Sequence, residues 1–236
     1  MALQGESGFA VWARCQDLSL WDQLNAGIRA VDIRVKFEGC GPDNQRIFHG
    51  SFDQKTNWPA VKSMLEGWIT SHPTEFVLVF VANENDDRSH ECSGMKMHDY
   101  LSSSLDPSKW FTTDPFTNPT YGDYKGRLVF LNSRFSNRFY NSRTQIQDQW
   151  TDVTLQQKWE AVVNHEAQAR QSGKLYINML SSAPSYANYY STPRKVAMFI
   201  NERAYNQTEI FKSGSELPYS QIEPFPTSQL SHEAVA

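Results

Sequence analysis

The chain has 236 residues, of which 39% are hydrophobic, 20% charged and 13% aromatic, enough for one domain with a sizeable core or for two small ones. Seven Trp, ten Tyr and fourteen Phe exclude a weakly hydrophobic, disordered chain. With 22 Lys and Arg against 26 Asp and Glu, the formal net charge is −4, which argues against broad electrostatic binding of nucleic acid or of an anionic membrane but not against a local basic site.

The opening Met1-Ala2-Leu3-Gln4-Gly5-Glu6-Ser7 lacks the basic start and apolar stretch of a secretory signal. No apolar run approaches the roughly 18 residues of a membrane span. Ser19 can cap a short helix that Gly27 ends. Ile28 to Lys36 follows, with Val31, Ile33 and Val35 alternating with Asp32 and Arg34, a strand with one apolar and one charged face. Arg46 to His49 reads as a short strand running into Gly50. Pro59 opens a helix whose stripe Val61, Leu65, Trp68 and Ile69 ends before Pro73. Phe76 to Ala82 is apolar throughout, as in a strand covered on both faces.

Residues 95–105 form a weaker helix, followed by a long aromatic loop from Trp110-Phe111 through Pro115-Phe116 to Tyr121-Gly122. Arg127 to Leu131 is the next strand. Thr154 caps a helix carrying Leu155, Trp159, Val162 and Val163 on one face. A strand at Lys174 to Met179 and a helix at 193–204 complete the pattern, and from about Ser213 onward periodicity gives way to a proline-containing tail. Helices interleaved with buried strands predict an α/β fold with a largely parallel sheet.

Cys15, Cys40 and Cys92 show no CxxC pairing and no metal-ligand spacing. The plainer reading is three isolated thiols; one disulfide is the alternative. Asn206-Gln207-Thr208 is a glycosylation acceptor triplet of a kind common by chance. His72, His90, His98, His165 and His232 have no partners at useful spacing and read as exposed. Glu84, Asp86 and Asp87 read as a solvated acidic turn rather than a cation site.

Asp32 and Arg34, two apart on a strand, leave the same face. They form either a surface salt bridge on an edge strand or an interior pair that serves a site. His49 before a glycine at a strand end, taken with that pair, suits phosphoryl transfer. A guanidinium holds phosphate oxygens bidentately, and an imidazole near neutrality protonates a departing oxygen.

The run Gln16-Asp-Leu-Ser-Leu-Trp-Asp-Gln-Leu-Asn-Ala-Gly-Ile-Arg-Ala-Val-Asp-Ile-Arg34, followed by Ile47-Phe-His-Gly50, closely resembles the catalytic X-domain of bacterial-type phosphatidylinositol-specific phospholipase C. Pro73 to Val79, Gly126 to Leu131, Ile146 to Trp150 and Lys174 to Asn178 continue the resemblance, which covers roughly residues 12–206. It implies a TIM-type (β/α) barrel of the phospholipase-C-like phosphodiesterase kind over 1–212, with 213–236 as a tail, and a site at the carboxyl ends of the strands. It also implies a two-histidine mechanism on a phosphoinositide or glycosyl-phosphatidylinositol lipid. One histidine deprotonates the inositol 2-hydroxyl, and the other protonates the diacylglycerol oxygen. By position His49 matches that acid, Arg34 the arginine that neutralises the phosphoryl oxygens, and Asp32 the acidic residue that orders the site. Asp148 matches an inositol-contacting aspartate and Trp150 the aromatic beneath the sugar ring.

Arg34 stands where calcium-dependent relatives carry a carboxylate, so no metal and no cofactor are expected. A monomer with transient membrane-surface contact and no nucleic-acid partner is expected, with the loops from Trp110 to Tyr121 and from Tyr186 to Tyr190 either dipping into the lipid or packing on the barrel rim. The resemblance further implies a Gly-Thr-His-Asp/Asn-Ser motif carrying the general base, a last strand with an aspartate, and a lysine near Ala82-Asn83. None of these is present in the 236 residues. The expectation is therefore a barrel shortened at both ends that is weakly active or inactive by itself, or a catalytically silent remnant that binds an inositol phosphate or lipid headgroup.

Overall fold

The computed structural model describes residues 18–84, 91–112, 121–132, 144–150, 153–169, 175–182 and 193–213. They divide into two units, Leu20–Phe139 and a second made of Met1–Ser19 with Tyr140–Ala236.

In the first unit, helix α1 (Leu20–Asn25) follows Ser19 directly. Ile28 N–H donates to Gln23 O and Gly27 N–H to Leu24 O, with Gly27 at φ 105°, the paired bonds of a Schellman cap. Strand β1 (Ala30–Phe37) alternates half-buried and buried residues along its length. Val31, Ile33, Val35 and Phe37 enter the core, which leaves Asp32 and Arg34 together on the other face.

Strand β2 (Gln45–His49) pairs antiparallel with β1, and β3 (Phe52–Asn57) antiparallel with β2. Asn57 then caps α2 (Trp58–Ser71), its Oδ1 accepting Ala60 N–H at 3.0 Å. The apolar stripe expected of this helix is buried, with Trp58 added to it. β4 (Phe76–Asn83) runs parallel to β1, and its residues from Val77 to Ala82 are all buried.

β5 (Glu91–Cys92) and β6 (Met95–Lys96) form a small hairpin ahead of α3 (Met97–Ser103). β7 (Trp110–Phe111), the one-turn helix α4 (Tyr121–Tyr124) and β8 (Arg127–Asn132) complete the unit. The six-stranded sheet has the order β3-β2-β1-β4-β8-β7. Its centre is parallel, as expected, and β2–β3 is an antiparallel hairpin on one side.

In the second unit, β9 (Thr144–Gln147) and β10 (Leu175–Asn178) pair in parallel, with Gln147 opposite Asn178. Helix α5 (Leu155–Ala169) has the cap expected at Thr154. Gln157 N–H donates to Thr154 Oγ1 at 3.1 Å and Thr154 N–H to Gln157 Oε1 at 2.9 Å, a reciprocal capping box. Helix α6 (Pro193–Ser213) continues past the end expected near 204. Val153, Val162, Ile177, Val196, Ala197 and Ile200 are buried.

Several expectations are corrected. Trp110 and Phe111 are strand rather than loop. Trp110 is 2% exposed, faces the rings of Trp58 and Phe130, and donates its indole N–H to Glu66 at 2.8 Å. It is a core residue and cannot dip into lipid. Two of the three cysteines are not isolated thiols: Cys40 and Cys92 form a disulfide with Cα atoms 5.1 Å apart. His72 stacks on Trp68, His98 lies against Phe130, and His165 bonds to Asn178. All three are half-buried rather than exposed.

Cys15, Asp86, Asp87, His90, Pro115, Phe116, Tyr186, Tyr190, His232 and the tail beyond Ser213 lie outside the described residues. Among the described residues no helix is long and apolar enough to cross a membrane.

Candidate active site

The sheet places β1 between β2 and β4, so the Asp32–Arg34 pair is interior and not an edge-strand surface bridge. Arg34 Nε and Nη2 approach Asp32 Oδ2 at 3.3 and 3.4 Å, and Nη1 approaches Glu84 Oε1 at 3.4 Å. Side-chain exposures are only 11% for Arg34, 17% for Asp32 and 16% for Glu84. Burial opposes the guanidinium charge, but the Asp32 and Glu84 carboxylates outweigh it by attraction and hydrogen bonding, and the pKa of Arg34 rises above its ordinary value. The side chain is a permanent cation held in one orientation.

A guanidinium has five N–H donors. The three bonds above leave one N–H on each terminal nitrogen with no partner among the described residues. Beside it Asp32 Oδ1 is buried with no hydrogen-bond partner. A fixed cationic fork and an open acceptor thus stand side by side, as an oxyanion that also carries a hydroxyl group would require.

His49 ends β2 and is half-buried. It pairs with Phe52 across a two-residue turn whose first residue, Gly50, has φ 57°, a conformation that glycine adopts without Cβ strain. Gly50 N–H donates to Glu84 Oε1 at 2.7 Å. That oxygen also meets Arg34, so one carboxylate joins the His49–Gly50 turn to the Arg34–Asp32 pair. The pairing between β1 and β2 stops at Val35–Ile47, and Glu84, directly after β4, holds the end of the hairpin through Gly50.

Glu84 was expected in a solvated turn, and the structure corrects this. Its N–H donates to Val35 O at 2.9 Å, continuing the parallel ladder in which Ala82 stands opposite Arg34. Strand alternation then carries the side chain from Ala82 onto the Arg34 face. The even-numbered run Leu78, Phe80, Ala82, Glu84 was the available signal, hidden because every residue before Asn83 is apolar.

Asp148 and Trp150 belong to the second unit, immediately after β9. Asp148 is exposed and Trp150 half-buried, and Gln149 N–H between them donates to Gln147 Oε1 at 2.8 Å. The structure therefore brings Asp32, Arg34 and the His49 turn together in the first unit, and within the second unit Asp148 and Trp150 share one short segment.

No family model matches the chain. It is similar to a 1-phosphatidylinositol phosphodiesterase of Listeria monocytogenes, at 26% identity over 209 residues that make up 81% of this chain and 61% of that protein. It is also similar to the PI-PLC X domain-containing protein 2 of Homo sapiens, at 29% over 102 residues, 41% of this chain and 32% of that protein. The chain thus spans about three fifths of the first relative's length and about a third of the second's. Among solved structures, the phosphatidylinositol-specific phospholipase C of Listeria monocytogenes superposes with TM-score 0.70 at 22% identity, covering 87% of this chain and 76% of that one. A Staphylococcus aureus phosphatidylinositol-specific phospholipase C containing pentafluoro-Phe gives 0.71 at 17% identity, covering 98% and 88%. The kinship read from the sequence is borne out, and so is the TIM-type α/β fold.

Proposed function

We propose that this chain carries the site of a phosphatidylinositol phosphodiesterase of the phospholipase C type. The observation that carries the reading is the buried Arg34 fork, clamped by Asp32 and Glu84 with two N–H groups open among the described residues, beside the turn that bears His49. The similarity to the Listeria 1-phosphatidylinositol phosphodiesterase supports a phosphatidylinositol lipid as substrate; a glycosyl-phosphatidylinositol lipid is the other headgroup the proposal allows.

Arg34 neutralises the phosphoryl oxygens as charge builds on them, and Asp32 holds the guanidinium in line. His49 protonates the departing diacylglycerol oxygen as the inositol 2-hydroxyl attacks phosphorus, giving a cyclic inositol phosphate. Asp148 and Trp150 contact the inositol ring. The base that takes the 2-hydroxyl proton is expected in a Gly-Thr-His motif that the 236 residues do not contain. These 236 residues by themselves are then weakly active or inactive, and a chain extended upstream to include the motif is fully active.

The protein works as a monomer in transient contact with a membrane surface, without metal or cofactor. Calcium-stimulated turnover abolished by EDTA would contradict this. The deciding experiment measures release of cyclic inositol phosphate from phosphatidylinositol in mixed micelles, for this chain and for an upstream-extended one. Arg34→Lys and His49→Gln should each lower kcat of the extended chain by about 10²–10⁴-fold. Headgroup binding with no turnover in either chain would favour the silent binding remnant, and the absence of both would end the reading.

A further inference from the structure

The second unit buries a cation that the reaction above does not use. Lys158 lies in the second turn of α5 with its side chain wholly buried, 0% exposed. Its position is unfavourable in two ways. A buried ammonium gives up its hydration, and the start of a helix already carries partial positive charge. A buried methionine in its place would incur neither cost. What the lysine gains is contact: Nζ donates to Gln147 Oε1 at 3.1 Å and to Gln149 O at 2.9 Å.

Those two acceptors lie at the end of β9 and within the segment that leaves it. Gln147 is itself held. Its Oε1 also accepts Gln149 N–H, and its Nε2 faces Asn178 Oδ1 at 3.4 Å and Met179 O at 3.5 Å. His165 Nδ1, from α5, meets the same Asn178 oxygen at 3.0 Å. The carboxyl ends of both parallel strands and helix α5 are thus joined in one polar network, and the residues that issue from it are Asp148, Gln149 and Trp150. Burial lowers the Lys158 pKa to about 8, with Asp148 acting in the opposite direction, so the ammonium form still predominates at neutral pH.

We infer that Lys158 is a positioning residue: by gripping Gln147 and Gln149 it fixes the Asp148–Trp150 segment and thereby sets how tightly the substrate headgroup is held. The link to the headgroup rests on the roles proposed above for Asp148 and Trp150; the grip on the segment does not.

Hydrogen exchange of peptides covering 145–154, 155–169 and 58–71 tests the grip in the full chain. In Lys158→Met, exchange at 147–150 should quicken by at least about tenfold, while α5 and α2 keep their protection. Lys158→Gln, which retains N–H donors without the charge, should fall between. Kinetics of the upstream-extended chain test the link: KM for phosphatidylinositol should rise about tenfold in Lys158→Met, with kcat within about twofold. Unchanged exchange at 147–150 overturns the inference, as does loss of protection spreading through α5, which would make Lys158 merely structural. A loosened segment with unchanged KM overturns the link to substrate. No turnover in the unsubstituted extended chain would count against the proposed function and would leave the exchange result standing.

Discussion

Replacing Lys158 with methionine should remove a pH dependence of stability from the protein. The folded side chain titrates near 8 against an ordinary lysine value of 10.5, with burial as the main cause. Between those two pH values the unfolded chain holds a proton that the folded chain has released, so stability rises with pH across the window. At about 1.4 kcal/mol per pH unit the rise attributable to Lys158 is about 3 kcal/mol. Below pH 8 both states are protonated, and the fold bears the full cost of the buried charge. Urea unfolding followed by tryptophan fluorescence at pH 7, 8, 9 and 10 measures this, and the unsubstituted chain minus the Lys158→Met variant cancels the other titrating groups. At pH 7 the variant loses two hydrogen bonds but also sheds a buried charge, so the two chains should be close. By pH 10 the variant should be the less stable by about 2–3 kcal/mol. A difference that stays flat from pH 7 to 10, or shrinks, would refute the buried ammonium.

Other outcomes follow from the same packing. The Cys40–Cys92 bridge closes a loop with sequence separation 52, which corresponds to about 4 kcal/mol of chain entropy; the double serine variant should show that loss, and equal unfolding midpoints with and without reductant would argue against it. Gly126 has φ 69°, and a Cβ there would lie 3.1 Å from Pro73 O, so Gly126→Ala should lower stability by about 1–3 kcal/mol, read from the thermal midpoint. Trp110→Ala should cost about 3–5 kcal/mol of stability and leave vesicle sedimentation of the remaining folded protein unchanged; lost sedimentation in a variant of normal stability would reverse that assignment.

Elements whose signal lies within one helical turn or a few strand residues were legible without coordinates. Gly27 had to end α1 because glycine alone reaches φ 105° without strain. The stripe of α2 and the all-apolar run of β4 announced their burial through period and composition. Asp32 and Arg34 could be placed on one face because alternation is a local property of a strand. The polar strands β3 and β9, with sequences FDQKTN and TQIQ, have no such pattern. They are strands because neighbouring backbones pair with them.

The rest depends on partners far apart in the chain. Whether Arg34 sits on an edge or inside the sheet was decided by β4 pairing beside β1. The carboxylate that completes its clamp lies 50 residues away, and the cysteine that pairs with Cys40 lies 52 away. Nothing in the residues next to Lys158 marks it as buried; folding brings its ammonium to Gln147 and Gln149. Local periodicity, capping and turn chemistry were therefore determined by the sequence by itself, since they need only a few adjacent residues. Which charges are buried together was decided by the tertiary structure, because the free energy of a buried ion depends on which groups folding places around it.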